Sequence, residues 1–120
     1  MQDCIFCKIV KGEISAQKLF EDNDVVAFLD TKPFTKGHCL VIPKVHAENI
    51  FDIHEDSLKK VMAAAKNISA TMKENPGLVG INLVNNNGLG AGQRVFHFHV
   101  HVIPRYEEQE KEKIAEMMGL

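Results

Sequence analysis

The chain has no tryptophan, and no apolar run approaches the roughly eighteen residues that a membrane-spanning helix needs. Its start, Met1-Gln2-Asp3-Cys4, lacks the basic segment and apolar core of a secretion signal. Its charge lacks a dominant sign, because 14 Lys and Arg face 16 Asp and Glu for a net charge of -2. Such a chain has no overall positive field that attracts nucleic acid or anionic membrane. We therefore expect a cytoplasmic protein without nucleic-acid or membrane partners, in which a local site must hold any bound phosphate.

Cysteine is also scarce. Three residues are an odd number, which does not suit a disulfide framework. Cys39 lies in the apolar run Cys39-Leu40-Val41-Ile42, where a buried thiol behaves as a small hydrophobic group. With 120 residues and 45% apolar content, the chain can build one domain around one core.

The order of hydrophobic patterns predicts an α+β fold, with a five-stranded antiparallel sheet, one long helix and a short N-terminal helix. The short helix is expected at residues 4–11, before Gly12, and the long helix at 55–74. Strands are expected at residues 18–21, 25–29, 39–42, 81–85 and 96–103. The long helix should turn one apolar stripe to the sheet: Leu58, Val61, Met62, Ala65, Ile68 and Met72. The domain should span residues 1–105, and the charged tail, 106–120, should be a solvated helix.

The segment His97-Phe98-His99-Val100-His101-Val102-Ile103 alternates imidazoles with apolar side chains. On a β-strand, successive side chains point to opposite faces, so the three histidines share one face. Simple packing does not explain this pattern, because buried imidazoles need hydrogen-bond partners that apolar residues would not require. The pattern therefore indicates a functional histidine row.

Metal binding and phosphorus chemistry are the two functions that suit this row. Cα atoms two residues apart on a strand are roughly 6.5–7 Å apart, whereas zinc holds each imidazole nitrogen at about 2 Å. Convergence of all three rings on one ion is therefore awkward, although two rings could share an ion. A neutral imidazole can instead attack phosphorus while a neighbour moves a proton. The central residue, His99, suits the attacking role.

The polar loop Asn85-Asn86-Asn87-Gly88-Leu89-Gly90-Ala91-Gly92-Gln93 leads into the histidine row. Glycine lets backbone N–H groups approach phosphate oxygens, and amide side chains offer further donors. The loop does not match the P-loop pattern. Asn-Asn-Gly alone would indicate only a hairpin turn, but its place beside the histidines favours phosphate binding.

The histidine row resembles the signature of the histidine-triad (HIT) family. Four further blocks, Phe28-Leu29-Asp30, Gly37-His38-Cys39-Leu40-Val41-Ile42-Pro43-Lys44, Asn86 and Gly92-Gln93, are similar in order and spacing to the branch that hydrolyses purine nucleoside phosphoramidates. The resemblance covers residues 4–105. It implies that His99 attacks the α-phosphorus, that water resolves a nucleotidyl-histidine intermediate, that His101 binds phosphate and assists proton transfer, and that His38 orients the triad.

The same resemblance implies a nucleotide site with three parts. Asp30 would bind the ribose hydroxyls, the apolar residues would wall the purine, and Asn86, Gly92, Gln93 and Arg94 would contact the α-phosphate. The implied site comprises Phe6, Ile9, Phe28, Leu29, Asp30, Thr31, Asn86, Gly92, Gln93, Arg94, His99 and His101. The sequence departs from some relatives at Arg94, often a small hydroxyl residue, and at Thr31, often a larger aliphatic one.

The pair Cys4-Ile5-Phe6-Cys7 has the spacing with which two thiolates bind one zinc ion. Two more ligands are needed, and the residues alone leave His38, His46, His54 and the edge of the triad as candidates. The resemblance to bacterial-type relatives implies a structural zinc on Cys4, Cys7, His46 and His97, with no catalytic cofactor. A vestigial or redox-active thiol pair is the alternative.

Three functions are compatible with these residues. The first is a nucleotide hydrolase that cleaves at the α-phosphate. The second is a metal-dependent hydrolase in which His97 and His99 hold a catalytic ion, and the third is a nucleotide-binding interaction module with little activity. The resemblance further implies a homodimer with the long helix and an edge strand in the interface.

Overall fold

A five-stranded antiparallel sheet forms the frame of the computed structural model, which describes residues 3–106. The strands lie in the order β1-β2-β3-β5-β4. The elements in chain order are α1 (Ile5–Val10), β1 (Lys18–Glu21), β2 (Val25–Leu29), β3 (Cys39–Pro43), α2 (Glu55–Met72), β4 (Gly80–Val84) and β5 (Val100–Arg105), with a single 3-10 turn at Leu89–Ala91. The predicted α+β fold is confirmed, while the predicted helical tail lies outside the described residues except for Tyr106. No helix within 3–106 combines the length and apolar character needed to cross a bilayer.

One face of the sheet packs against α2. Val61, Ala65 and Ile68 are buried there, as the helical spacing predicts. Met62 was expected in the same stripe, but it is 39% exposed, and Ala64 is buried instead. Positions 61, 64, 65 and 68 lie on one side of a helix of 3.6 residues per turn, and Met62 is rotated about 100° from Val61. The prediction for Met62 is therefore wrong.

The other face of the sheet carries α1 and the functional side chains. A second apolar cluster joins this helix to the central strands: Phe6, Ile9, Val26, Phe28, Leu40 and Ile42. Leu40 is paired with His101 across the ladder between β3 and β5, so both side chains point to this face. The sheet thus has a structural face under α2 and a second face under α1.

The histidine row differs from the predicted strand, because β5 begins at Val100 and not at residue 96. Before Val100, backbone groups bond outside the ladder: the Phe98 N–H donates to the Ala47 carbonyl at 2.7 Å, and the Asn85 amide donates to the His99 carbonyl at 3.0 Å. The alternation survives this change. Phe98 belongs to the cluster under α2, whereas His97 and His99 contact Phe6 on the opposite face.

The last strand was expected to end at residue 103, before Pro104, but β5 continues through Pro104 to Arg105. Pro104 is paired with Ile81 of β4. Its carbonyl points to the opposite side of β5, where it accepts from the Thr35 hydroxyl at 2.6 Å. In a strand the N and the carbonyl of one residue face the same side. The missing N–H of Pro104 therefore removes no ladder bond to β4.

Candidate active site

Five aromatic rings form a row on the α1 face of the sheet. Their centroid separations are 5.3 Å from Phe6 to His99, 5.1 Å from His99 to His101, 5.2 Å from His101 to His38, and 5.5 Å from His38 to Phe34. The row borders a cavity of about 990 Å³ whose lining includes His99 and His101. Sequence reasoning missed Phe34, which stacks on His38 with ring planes 10° apart, because nothing in its neighbourhood distinguishes it from a loop residue.

A backbone carbonyl fixes the tautomer of His99. His99 Nδ1 lies 2.7 Å from the carbonyl oxygen of His97. A carbonyl only accepts hydrogen bonds, so Nδ1 carries the proton and Nε2 keeps its lone pair in the neutral ring. Burial, the largest influence, lowers the pKa of His99, which favours this neutral form. His99 is therefore arranged as a nucleophile or acceptor through Nε2.

A hydrogen-bond chain gives His101 the opposite arrangement. The Phe34 N–H donates to His38 Nδ1 at 3.0 Å, so the proton of neutral His38 is on Nε2. His38 Nε2 is 3.0 Å from His101 Nδ1 and donates to it. The proton of neutral His101 is then on its other nitrogen, Nε2, and the ring can donate to a ligand. The neighbouring rings thus differ: His99 presents a lone pair at Nε2, and His101 presents an N–H at Nε2.

Burial favours the neutral form of these rings. It is the largest cause that lowers the pKa of His101 to about 4, with His99 and His38 next and Asp30 opposing. Burial also lowers the pKa of His38, again against the charge of Asp30. The Asp30 carboxylate is 3.5 Å from His38 Nε2 and 3.9 Å from His101 Nδ1. It is therefore placed to stabilise either ring when a bound anion favours a positive charge.

The cavity brings together most of the residues expected to bind a nucleotide. The predicted residues that line it are Phe6, Ile9, Phe28, Leu29, Asp30, Thr31, Gly92, Arg94, His99 and His101. Asn86 and Gln93 are not part of its lining within residues 3–106. Gly92 has a φ of 94°, a left-handed conformation that strains any other residue. The cavity also reaches residues that sequence reasoning did not single out, including Ile14, Gln17 and Lys32.

Gln93 is engaged inside the loop. Its side chain is buried, its oxygen accepts from the Gly88 N–H at 2.8 Å, and its nitrogen donates to the carbonyls of Glu48 at 2.6 Å and Val95 at 3.0 Å. These contacts hold the glycine-rich loop against the segment after β3. A phosphate contact by the Gln93 amide stays a prediction, and it would compete with these bonds.

The four predicted metal ligands meet beside this site. Cys4 Sγ is 3.4 Å from His97 Nδ1, while Cys7 Sγ is 3.3 Å from His46 Nδ1 and 3.6 Å from His97 Nδ1. Tetrahedral zinc with its usual bond lengths places sulfur and nitrogen ligands about 3.6 Å apart. His97 Nε2 donates to the Pro43 carbonyl at 2.8 Å, which leaves the Nδ1 lone pair facing the thiols. The donor set therefore fits a zinc ion.

A second group, formed by Asp30, His38 and His101, could also hold an ion within the part of the chain described. The hydrogen-bond chain above accounts for its closeness without one. His99 is in neither group, and its Nδ1 is engaged by a carbonyl. The arrangement therefore does not favour a catalytic ion held by His97 and His99.

Comparison with known proteins places these features in a family. The model of the HIT domain matches residues 11–108. The Bacillus subtilis protein named Protein hit is 47% identical over 105 residues, covering 88% of this chain and 72% of that protein. Adenosine 5′-monophosphoramidase HNT1 of Saccharomyces cerevisiae is 43% identical over 106 residues, covering 88% and 65%.

Solved structures agree with the fold, and one of these similar proteins binds zinc. A HIT family protein from Bacillus anthracis superposes with a TM-score of 0.84 at 41% identity, covering 98% of this chain and 95% of that one. A Zn-bound histidine triad family protein from Mycobacterium smegmatis has a TM-score of 0.86 at 36% identity, covering 91% and 79%.

Proposed function

The chain belongs to the HIT domain family, and from that premise we propose that it hydrolyses purine nucleoside phosphoramidates or related nucleotidyl substrates at the α-phosphate. The family includes hydrolases, one of which is the yeast adenosine 5′-monophosphoramidase. In the proposed reaction His99 forms a nucleotidyl-histidine intermediate, and water then releases the nucleoside monophosphate.

The tautomer of His99 is the observation that carries this proposal. With Nδ1–H donated to the His97 carbonyl, the Nε2 lone pair forms the bond to phosphorus as the bond to the leaving nitrogen breaks. The leaving nitrogen takes the electron pair and a proton from Nε2 of His101, whose protonated form a bound anionic phosphate favours. Attack by water returns a proton to the same nitrogen.

The cavity supplies a place for each part of the nucleotide. We assign the ribose hydroxyls to Asp30, and the purine to the apolar wall of Phe6, Ile9 and Phe28. The α-phosphate would lie between His99 and the backbone of Gly92. In this assignment His101 completes the phosphate side and His38 orients its ring, while Asn86 and Gln93 approach from the loop.

Incubation with adenosine 5′-phosphoramidate tests the proposal directly. We expect AMP release by the wild-type protein, an acid-labile nucleotidyl adduct detectable by intact mass, and loss of both in His99→Ala. Matched melting temperatures would show that the variant folds. Turnover that chelator abolishes, and that added metal restores, would instead favour the metal-dependent hydrolase. Binding of nucleotide without turnover on several phosphoramidates would favour the interaction module.

We also propose a structural zinc ion on Cys4, Cys7, His46 and His97, supported by the sulfur and nitrogen spacing of the cluster. It would tie α1, and hence Phe6, to the strand that carries the triad. Thiolate ligands bind zinc only when they are reduced, which is consistent with our proposal of a cytoplasmic protein.

A homodimer is the proposed assembly. Leu83 on the edge strand β4 is paired with Val102, so it points to the α2 face, where it is 45% exposed. Met62 of α2 is also exposed, as noted above. Both apolar groups suit an interface through the helix and the edge strand. Light scattering should give twice the chain mass, and Leu83→Glu should reduce it to one; a monomeric wild-type protein would contradict the assembly.

A further inference from the structure

The charged side chains of the cavity are unevenly placed. Its lining contains one carboxylate, Asp30, and two cations, Lys32 and Arg94. Without a ligand the His101 ring is neutral near pH 7, because burial lowers its pKa to about 4. One ring that gains a proton when an anionic phosphate binds balances a single negative charge, so a substrate with a second anionic group needs a further cation.

Arg94 is the cation on the phosphate side of the cavity. It follows Gly92 by two residues and lines the cavity together with His99. Lys32 is next to Asp30, because its backbone N–H donates to the Asp30 carboxylate at 2.9 Å. If Asp30 binds the ribose, Lys32 is a neighbour of the nucleoside and Arg94 is a neighbour of the leaving group.

The guanidinium of Arg94 is available for a ligand. Arg94 is exposed, and it has no ion-pair partner within residues 3–106. It also borders a smaller cavity that contains Asp3 and Glu48, but neither carboxylate comes within ion-pair distance. A guanidinium offers two parallel N–H donors, which match two oxygens of a phosphate or sulfate.

We propose that Arg94 binds a second anionic group attached to the α-phosphate, and so selects nucleotides whose leaving group is a phosphate or a sulfate. This inference rests on the proposed function, because it assumes attack on the α-phosphorus by His99. It concerns the leaving group, which the HIT fold does not determine.

The two classes of leaving group make different demands. When His99 Nε2 bonds to phosphorus and a P–N bond breaks, the amine needs a proton from His101. When a bond to a bridging oxygen breaks, that oxygen keeps the electron pair. Sulfate then departs as a dianion without a proton, whereas phosphate departs as the hydrogen phosphate dianion, with a proton that it already carries or that His101 supplies. The additional negative charge of either anion is what a fixed guanidinium stabilises. Arg94 should therefore matter more for anionic leaving groups than for amines.

The test compares three adenosine substrates: the 5′-phosphoramidate, the 5′-phosphosulfate and ADP. The measured quantity is kcat/KM for each anionic substrate divided by kcat/KM for the phosphoramidate. Arg94→Met, which keeps length and removes charge, should lower that ratio roughly 10- to 100-fold, the effect of one charge-assisted hydrogen-bonded pair. Arg94→Lys should restore part of it.

Lys32→Met is the matched control, because it removes the same charge from the same cavity beside Asp30, to which we assign the ribose. It should change the ratio less than threefold, and a change equal to that of Arg94→Met would show only a general field effect and overturn the proposal.

A ratio unchanged in Arg94→Met, or a wild-type protein that cleaves the phosphoramidate but neither anionic substrate, would also overturn it. Each of these results leaves the proposed function intact. Failure of the wild-type protein on all three substrates would reject both. The sulfate and ADP arms show which anion the site prefers.

Discussion

Replacement of the buried Gln93 amide should destabilise the protein strongly. Gln93→Ala removes three short hydrogen bonds, from the Gly88 N–H and to the carbonyls of Glu48 and Val95, and a longer one of 3.5 Å from the Asn49 amide. Only 1% of Gln93 is exposed, so bulk water does not replace these partners. At about 1 kcal/mol for each short bond, the free energy of unfolding should fall by about 3 kcal/mol. For a domain of this size, that loss lowers the melting temperature by roughly 12 °C.

The isosteric change Gln93→Glu gives a more specific test of the same geometry. A carboxylate at this position would face two carbonyl oxygens and could donate to neither unless protonated. Burial and these oxygens should raise the pKa of the new carboxyl above its usual value. The folded state then binds a proton that the unfolded state releases, so the variant should become more stable relative to wild type as pH falls through the raised pKa.

Urea unfolding followed by circular dichroism, at fixed protein concentration and at several pH values, measures both effects. Gln17→Ala is the matched control, because this glutamine lines the cavity but is exposed. Its stability should stay within about 0.5 kcal/mol of wild type. A loss below 1 kcal/mol in Gln93→Ala, with a large rise in KM for the nucleotide, would refute the structural role and indicate that the amide contacts phosphate.

Three further predictions concern the metal cluster and the imidazoles. Cys7→Ser should lose most of the zinc that copurifies with wild type, measured by plasma emission, whereas Cys39→Ala should keep it; equal loss in both would contradict the ligand set. Burial lowers the pKa of His101 from 6.5 to about 4, so the unfolded chain binds more protons than the folded chain over that range, and stability falls as pH decreases. His101→Phe should flatten this fall by up to one proton, and an unchanged slope would oppose the assignment. Phe34→Ala should raise the pKa of His38 measured by NMR titration, because burial is what lowers it, while Phe34→Leu should raise it less.

Local patterns predicted the elements well where neighbours did not alter them. The first two strands occur at the predicted residues, and Asp22 accepts from the N–H groups of Asp24 and Val25 in the turn between them. The sequence predicted the helical spacing of α2, but it did not predict which side of the helix is fully buried, because Ala64 is buried where Met62 was expected. The buried side depends on how the helix packs against the side chains of the sheet, which the helix sequence alone does not specify.

The start of β5 shows a second limit. Alternation correctly indicated that the histidines share a face, but the length of a ladder depends on the neighbouring strand. β3 ends at Pro43, whose carbonyl accepts from the His97 ring, and the Phe98 N–H donates to the Ala47 carbonyl. Sequence alone could not place this partner.

Within the site, side-chain chemistry was more predictable than backbone partners. Alternation predicted the histidine row, and the resemblance to the HIT family implied the four metal ligands, which the structure brings together. The two carbonyls that set the tautomers, from Pro43 and His97, left no trace in the sequence, because every residue has a carbonyl. The buried role of the Gln93 amide was missed for a similar reason, since its partners are backbone groups from distant segments.

His97 contributes to two neighbouring sites, the thiol cluster and the histidine row. Its ring belongs to the thiol cluster, while its main-chain oxygen orients the imidazole two residues later. Any substitution at this position keeps that oxygen but removes the ring's anchor on Pro43, so it disturbs both sites together. An experiment on what the proposed zinc ion contributes to the proposed activity should therefore alter a thiol and leave position 97 intact.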